Sequence, residues 1–226
     1  MERVLRHFDH TASRFDAIYS SPRPLDRIFR RDIYDRFHWT LEQCEPIRGR
    51  SVLDVGCGSG QFAIALAQRG AGEVVGLDFA QNMISIAEHN ARQAGVADRC
   101  RFIPGDFLRS AFPRRFHYVM AIGVFDYVRD PAPFLERAHS VTRQRFIASF
   151  PRLFTWRAPV RKLRLRLGGC PVYFYTRGRV AALMRRAGFV LETLEVCGKL
   201  YLATGRPAAI EPLEEPEAKE GVGHGF

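Results

Sequence analysis

The chain lacks the long apolar segments that characterise membrane and secreted proteins. Its 226 residues contain no apolar run that approaches a bilayer span, for which about 20 residues are needed. The first residues include charges and do not contain the apolar stretch of a secretory signal peptide. We therefore expect a cytoplasmic protein, and the length fits one domain.

Cysteine is scarce, and no two cysteines have the spacing of a known framework. The five cysteines are Cys44, Cys57, Cys100, Cys170 and Cys197, and they form no Cys-x-x-Cys pair. This spacing predicts neither a disulfide framework nor a zinc site, so no metal centre is expected. Each cysteine is expected to behave as a small buried apolar residue.

Acidic residues are also outnumbered by basic ones. The chain has 34 lysines and arginines against 24 aspartates and glutamates, which gives a formal net charge of +10. An excess of positive charge favours anionic partners such as phosphates, acidic lipids or nucleic acid. A basic surface that only contacts water explains the excess equally well.

The most informative segment that is present runs from Val52 to Gly60. Apolar residues flank one acid, Asp54, and the glycines Gly56, Gly58 and Gly60 follow it. This pattern predicts a buried strand, a glycine turn and a helix that begins near Gln61. Glycine lets a ligand approach the backbone closely, and the N–H groups of a helix start point at the same place. The segment therefore predicts a small-molecule cofactor at the carboxyl end of the first strand.

Two common phosphate-binding motifs do not match this turn. The dinucleotide fingerprint requires glycine or alanine where Gln61 stands, and the P-loop requires a Lys-Ser or Lys-Thr pair after its last glycine. The acid two residues before Gly56 would repel a pyrophosphate, whereas it suits a ligand that carries an ammonium group. S-adenosylmethionine (SAM) carries such a group on its methionine part.

Two further acids follow the next predicted strands. Glu73–Asp78 is predicted to be a strand that ends in a carboxylate, and a carboxylate can accept hydrogen bonds from both hydroxyls of a ribose. Asp106 ends the third predicted strand and can accept a hydrogen bond from an adenine amino group, with Phe107 packed nearby. These acids agree with a cofactor that contains adenosine.

With these segments in this order, the chain resembles the class I SAM-dependent methyltransferases. The residues that carry the resemblance are Asp54–Gly60, Leu77–Asp78, Gly105–Phe107 and Ala121–Val128. The resemblance implies that the methionine part of SAM lies at Asp54 and the glycines, the ribose at Asp78, and the adenine at Asp106 and Phe107. The full set of implied cofactor-binding residues is Asp54, Gly56, Cys57, Gly58, Gly60, Asp78, Phe79, Asp106, Phe107 and Ile122.

The residue that would assist methyl transfer is less evident from the sequence than the cofactor site. The histidine that usually follows the fourth strand in this family is absent, and Phe125–Tyr127 stands in its place. Asp126 is therefore the first candidate for a catalytic group on the acceptor side, with a turn or helix cap as an equally good explanation. The first helix of the family often closes over the cofactor, which makes Tyr19 a second candidate.

Strands and helices alternate along most of the chain, which predicts an α/β fold. Residues 50–206 are expected to form a Rossmann-like, seven-stranded, mostly parallel sheet with helices on both faces. The tight turn at Cys197–Gly198 implies that the last two strands are antiparallel. Residues 1–49 are predicted to form a helical cap over the cofactor cleft, with packing on the sheet as the alternative. Residues 207–226 are predicted to be a disordered tail.

An unusual segment over residues 151–175 is predicted to be an insertion on the acceptor side. Apolar residues at helical spacing predict a basic amphipathic helix over 157–167, which favours contact with a membrane surface or an anionic ligand. A helix that faces the core and exposes its arginines to water is the slightly better explanation. The aromatic run after it suits a pocket wall for a flat or greasy acceptor. The candidate substrate-binding residues are Tyr127, Arg161, Tyr173 and Tyr175.

Three functions are compatible with these patterns. The leading one is methyl transfer from SAM to an O, N or C centre of a small metabolite, with anionic or lipid-linked acceptors included. The positive charge supports an RNA or DNA methyltransferase instead, but Gly123–Asp126 stands where Asn-Pro-Pro-Tyr or Asp-Pro-Pro-Tyr would be expected, so nucleic acid is not the expected partner. The third is a non-catalytic SAM-binding subunit, against which the intact glycines and the three acids argue.

Overall fold

A computed structural model describes residues 31–153 and 172–208, and every structural statement below concerns these residues. Several predictions lie outside them: Tyr19, Arg161, the basic helix over 157–167, the first part of the predicted cap and nearly all of the predicted tail. No helix among the described residues is both long enough and apolar enough to cross a bilayer.

Helices and strands alternate through the described chain. In order they are α1 (Arg31–Gln43), β1 (Ser51–Val55), α2 (Gln61–Gln68), β2 (Glu73–Asp78), α3 (Gln81–Gln93), β3 (Cys100–Pro104), β4 (Phe116–Ala121), α4 (Pro131–Val141), β5 (Thr142–Pro151), α5 (Arg177–Arg186), β6 (Phe189–Cys197) and β7 (Leu200–Pro207). Two helices begin with a side-chain cap. The side chain of Asp130 accepts a hydrogen bond from the Ala132 N–H, and that of Thr176 accepts one from the Arg179 N–H.

The seven strands of the described part form one mixed sheet in the order β3-β2-β1-β4-β5-β7-β6. β1 to β5 pair in parallel, whereas β7 is antiparallel to both β5 and β6. Gly198 has a φ of +52°, and the short turn that contains it makes β7 run back along β6. The predicted fold class is therefore confirmed.

Apolar side chains form one layer on each face of the sheet. One layer contains Leu53 and Val55 of β1 and packs against α4 and α5. The other contains Val52 and packs against α1, α2 and α3. Successive side chains of a strand point to opposite faces, so Asp54 shares the face of Val52.

The element ends differ from the predicted ones at a few places. α2 begins at Gln61, where the sequence predicts a helix start, and β5 continues directly from α4 at Thr142. β7 includes Pro207, the first residue assigned to the tail, which pairs with Phe189. α1 buries Leu41 in the second apolar layer, and the Arg145 guanidinium of β5 donates a hydrogen bond to its Gln43 carbonyl over 2.9 Å.

Candidate functional site

The glycine turn connects β1 to α2 at the carboxyl edge of the sheet. Gly56, Gly58 and Gly60 have φ values of +73°, +53° and +82°, a region that glycine adopts far more readily than other residues. The N–H groups of Gly56 and Cys57 both donate to the Leu77 carbonyl, over 2.7 and 3.1 Å. These bonds hold the turn against the end of β2.

The three glycines have different surroundings. A Cβ on Gly56 would lie 2.6 Å from Cγ2 of Val124, and a Cβ on Gly60 would lie 3.0 Å from both Ala87 and Phe102. A Cβ on Gly58 would meet no described atom within 4 Å. Gly56 and Gly60 are therefore required by close packing, whereas the backbone at Gly58 is open to a ligand.

Asp54 places a buried carboxyl group next to this turn. Its residue surface is 1% exposed, and its Oδ2 atom has no hydrogen-bond partner among the described residues. Burial, assisted by the nearby charge of Asp78, raises the pKa of Asp54 to about 8. An unpartnered buried acceptor is costly, so a cationic donor bound here would offset a penalty that the free protein carries.

Asp78 holds the glycine turn from the end of β2. Its Oδ2 accepts a hydrogen bond from the Gly58 N–H and its Oδ1 accepts one from the Ala80 N–H, each over 2.9 Å. An ionised carboxylate only accepts hydrogen bonds, so Asp78 is suited to hydroxyl or N–H donors. Phe79, the next residue, exposes 37% of its surface beside this carboxylate.

The segment after β3 contains Asp106 and Phe107, whose side chains lie in different environments. The Oδ1 atom of Asp106 accepts a hydrogen bond from the Leu108 N–H over 3.0 Å. The Phe107 ring is buried, with its centroid 4.7 Å from that of Phe134 in α4. The prediction that Phe107 packs on the adenine is therefore corrected, because this ring completes the core. Leu108 is the exposed apolar residue there, and sequence analysis did not single it out.

The residues that follow β4 form the acceptor loop, which we define as residues 122–128. Ile122 is nearly buried at its start, and the Gly123 N–H donates to the Ser149 hydroxyl over 2.8 Å. The Phe125 ring stacks on Phe150 with centroids 4.3 Å apart, which draws the loop into the core. Asp126 is consequently only 5% exposed, and its predicted catalytic role stays a prediction.

The two predicted tyrosines of the aromatic run lie in different environments. The Tyr173 and Tyr127 residues are both partly exposed, and their predicted contact with the substrate stays a prediction. Tyr175 is 1% exposed, and it bridges to Arg152 at the end of β5. This backbone pairing carries its ring into the core, where it packs against Phe150. The prediction that Tyr175 contacts the substrate is therefore corrected.

Most of the candidate residues meet where the order of the parallel strands reverses. β1 pairs with β2 on one side and β4 on the other, so the glycine turn, Asp78 and the acceptor loop adjoin one another. Ligands of open α/β sheets bind in the crevice at this position. Val124 and Ser149 also belong to this arrangement. Sequence analysis missed both because only their tertiary contacts distinguish them from ordinary apolar and strand residues.

The comparisons with known proteins agree with this geometry. A family model described as a methyltransferase domain matches residues 52–145. A ubiquinone biosynthesis O-methyltransferase of Pseudomonas paraeruginosa is 32% identical over 108 residues, which are 48% of this chain and 46% of that protein. One of Paracidovorax citrulli is 35% identical over 129 residues, which are 57% of this chain and 52% of that protein. The chain spans about half the length of these curated relatives.

Solved structures show the same fold over more of the chain. A magnesium protoporphyrin IX methyltransferase from Synechocystis, crystallised with bound SAH, has a TM-score of 0.77 at 18% identity and covers 91% of this chain and 98% of its own. An S-adenosylmethionine-dependent methyltransferase from Mesorhizobium loti has a TM-score of 0.63 at 21% identity and covers 75% of this chain and 97% of its own. The resemblance to class I SAM-dependent methyltransferases is thereby confirmed.

Proposed function

We propose that this chain, which carries a class I SAM-dependent methyltransferase domain, transfers a methyl group from SAM to an oxygen atom of a small-molecule acceptor. The observation that carries the proposal is the pairing of an unpartnered, buried Asp54 carboxyl group with an open backbone at Gly58. Oxygen is favoured over nitrogen or carbon because the curated relatives are O-methyltransferases by name.

The residues around the turn fit SAM part by part. Asp54 is suited to the ammonium of the methionine part, since an ammonium would supply the donor that Oδ2 lacks. α2 begins at Gly60 without a side-chain cap, so its positive end is available to stabilise the methionine carboxylate. The Asp78 carboxylate, an acceptor at the end of β2 beside the glycine turn, suits the ribose hydroxyls. Phe79 and Leu108, both exposed, offer apolar contact for the adenine.

The proposed mechanism relies on alignment more than on acid–base chemistry. When bound, SAM supplies a methyl group that its sulfonium already activates. The acceptor loop would hold the acceptor oxygen in line with that methyl group and exclude water, and such positioning can lower a barrier by about 7–11 kcal/mol. The oxygen–methyl bond forms as the sulfur–methyl bond breaks. The Asp126 carboxylate would accept the proton of a hydroxyl acceptor, a contribution of about 10²–10⁴-fold.

The proposal is tested by binding and transfer measurements on the full chain. Calorimetry with SAM and SAH should detect binding of both. SAM is then incubated with catechol and protoporphyrin IX, which offer hydroxyl and carboxylate oxygens, and with histamine as a nitrogen acceptor. We expect SAH and an equal amount of a methylated oxygen acceptor. Binding of SAM without transfer to either oxygen acceptor would contradict the proposed activity, and absence of binding would also contradict the proposed cofactor.

A further inference from the structure

Polar contacts from Ser149, Tyr173 and Tyr175, which lie outside the acceptor loop, hold its backbone in place. Ser149 of β5 accepts a hydrogen bond from the Gly123 N–H near the start of the loop. The Tyr173 N–H donates to the Asp126 carbonyl over 2.9 Å in its middle. The Tyr175 hydroxyl lies 3.3 Å from the Phe125 carbonyl and 3.5 Å from the Val128 carbonyl, and it donates to both. The Tyr175 hydroxyl thus contacts two points of the loop, one on either side of Asp126.

Tyr175 is itself rigidly placed. Its N–H donates to the Pro151 carbonyl over 2.7 Å and its carbonyl accepts from the Leu153 N–H over 2.9 Å, so its backbone is fixed to the end of β5. Its ring packs edge-on against Phe125 and Phe150, and the Arg179 guanidinium lies 5.3 Å from the ring centroid. Burial raises the pKa of Tyr175 to about 12, so its hydroxyl keeps its proton and remains a donor at physiological pH.

The opposite side of the loop contacts the glycine turn. Cγ2 of Val124 lies against Gly56 so closely that a Cβ there would be 2.6 Å away. A displacement of the part of the loop that follows Phe125 would therefore change the position of Asp126 relative to the glycine turn, while Val124 keeps its contact with Gly56. By fixing the middle of the acceptor loop, the Tyr175 hydroxyl would determine the position of the acceptor relative to the methyl group.

We propose that Tyr175 is a positioning residue for methyl transfer. Its hydroxyl binds the Phe125 and Val128 carbonyls and thereby fixes the position of the acceptor loop relative to the glycine turn. The inference deepens the proposed function and rests on it for the role of Asp126. Tyr175 is 1% exposed, so its proposed effect is exerted through the loop and not by direct contact with the acceptor. Its removal should lower the transfer rate without changing the affinity for the cofactor.

The test compares two conservative variants, Tyr175→Phe and Tyr118→Phe. Tyr118 of β4 is a matched control because it is also fully buried and its hydroxyl also donates to a backbone carbonyl, that of Pro46, over 3.1 Å. Both substitutions keep the ring and remove one donor. Only Tyr175→Phe releases the acceptor loop, so a difference between the two variants reports loop position rather than the loss of a buried hydroxyl in general.

Amide hydrogen exchange over residues 121–130, measured with SAH as the probe ligand, gives the first readout. In Tyr175→Phe we expect exchange in this segment to be about tenfold faster, as the loss of one such hydrogen bond allows, with SAH affinity within about twofold of wild type. Tyr118→Phe should leave exchange in this segment unchanged. Unchanged exchange in Tyr175→Phe, or equal acceleration in both variants, would overturn the proposal.

Kinetics with SAM and catechol give the second readout. We expect kcat of Tyr175→Phe to fall by roughly tenfold or more with the KM for SAM unchanged, because small misplacements of reacting groups carry penalties of that order. Tyr118→Phe should retain wild-type kcat. A loss that appears only in the KM for SAM, or equally in both variants, would contradict a positioning role. Failure of wild type to bind SAH would refute the proposed function instead, and the exchange comparison in the free protein would still decide this inference.

Discussion

At the scale of single residues, the buried Asp54 makes the stability of the fold depend on pH, and we predict the same of SAH binding. Its pKa is about 8 in the folded protein, whereas an exposed aspartate has its usual value near 3.8. Between these two values the folded state keeps a proton that the unfolded state has already lost. This group therefore lowers the free energy of unfolding as the pH rises from about 4 to about 8, which is the reverse of a salt-bridged carboxylate.

An ammonium bound beside Asp54 would favour its ionised form, so binding should release a proton. We predict that the dissociation constant of SAH falls as the pH rises from 6 to 7.5, approaching about tenfold per pH unit. Calorimetry in buffers of different ionisation enthalpy measures the released protons. In Asp54→Asn the affinity should be lower and nearly independent of pH over this range. The same slope in both proteins would contradict the assignment.

Asp78 also offers a test at this scale. Asp78→Ala removes the acceptor of the Gly58 and Ala80 N–H groups together with the proposed ribose contact. Loss of charged hydrogen bonds of this kind should weaken SAH binding by at least about tenfold in calorimetry. The control is Asp98→Ala, because the Asp98 side chain is 75% exposed and pairs only loosely with Arg99. If Asp78→Ala binds SAH as tightly as wild type, the ribose assignment is wrong.

At the scale of elements, the glycine turn and the acceptor loop are packed against each other. The contact between Val124 and Gly56 joins the segment after β1 to the segment after β4. Gly60, in contrast, lets α2 pack closely against Ala87 of α3 and Phe102 of β3. Two of the three motif glycines thus serve the packing of elements, and Gly58 alone among them faces open space.

This division predicts different consequences for two neighbouring alanine substitutions. Gly58→Ala should destabilise the fold only by the backbone cost of positive φ, about 1 kcal/mol, but should abolish measurable SAH binding. Gly56→Ala should lower the free energy of unfolding by a further ~1–3 kcal/mol, because the added Cβ overlaps Val124. Urea unfolding and calorimetry measure the two effects.

The control for both is Gly95→Ala. Gly95 follows α3 and has a φ of +68°. A Cβ added there would meet no described atom within 4 Å. It therefore carries the backbone cost alone, and its SAH binding should equal that of wild type. Gly58→Ala that binds SAH normally would show that the ligand does not approach this backbone.

At the scale of the whole molecule, the excess of basic residues does not by itself identify a binding surface. Several described arginines are paired: Arg145 with Glu192 at 2.7 Å, and Arg114 with Glu73. Others at the two ends of α5, including Arg177, Arg185 and Arg186, are exposed. The net charge of +10 alone therefore does not say which surface an anionic partner would contact.

We propose that contact with an acidic membrane surface occurs through the basic segment 157–167. Full-length protein should co-sediment with phosphatidylserine-containing vesicles but not with pure phosphatidylcholine, and high salt should release it. Replacing Arg157, Arg161 and Arg164 with glutamine should reduce binding more than the equal charge change at Arg177, Arg185 and Arg186. An equal reduction would indicate a net-charge effect, and no vesicle binding by wild type would rule the contact out.

Features set by neighbouring residues could be predicted from the chain alone. The alternation of strands and helices, the caps at Asp130 and Thr176, and the antiparallel return at Gly198 all follow from local periodicity and turn chemistry. The placement of Asp54, Asp78 and Asp106 at strand ends follows for the same reason. Parallel strands then bring these ends to one edge of the sheet.

Which aromatic side chains line a cleft and which fill the core was decided only by the tertiary structure. Phe107 and Tyr175 have the same local patterns as exposed aromatics, but Phe134 in one case and Phe150 in the other enclose them. The burial of Asp126 and the raised pKa of Asp54 likewise depend on elements distant in the chain. Local sequence determines backbone conformation and therefore the location of the site, whereas desolvation and packing arise only when separate segments meet.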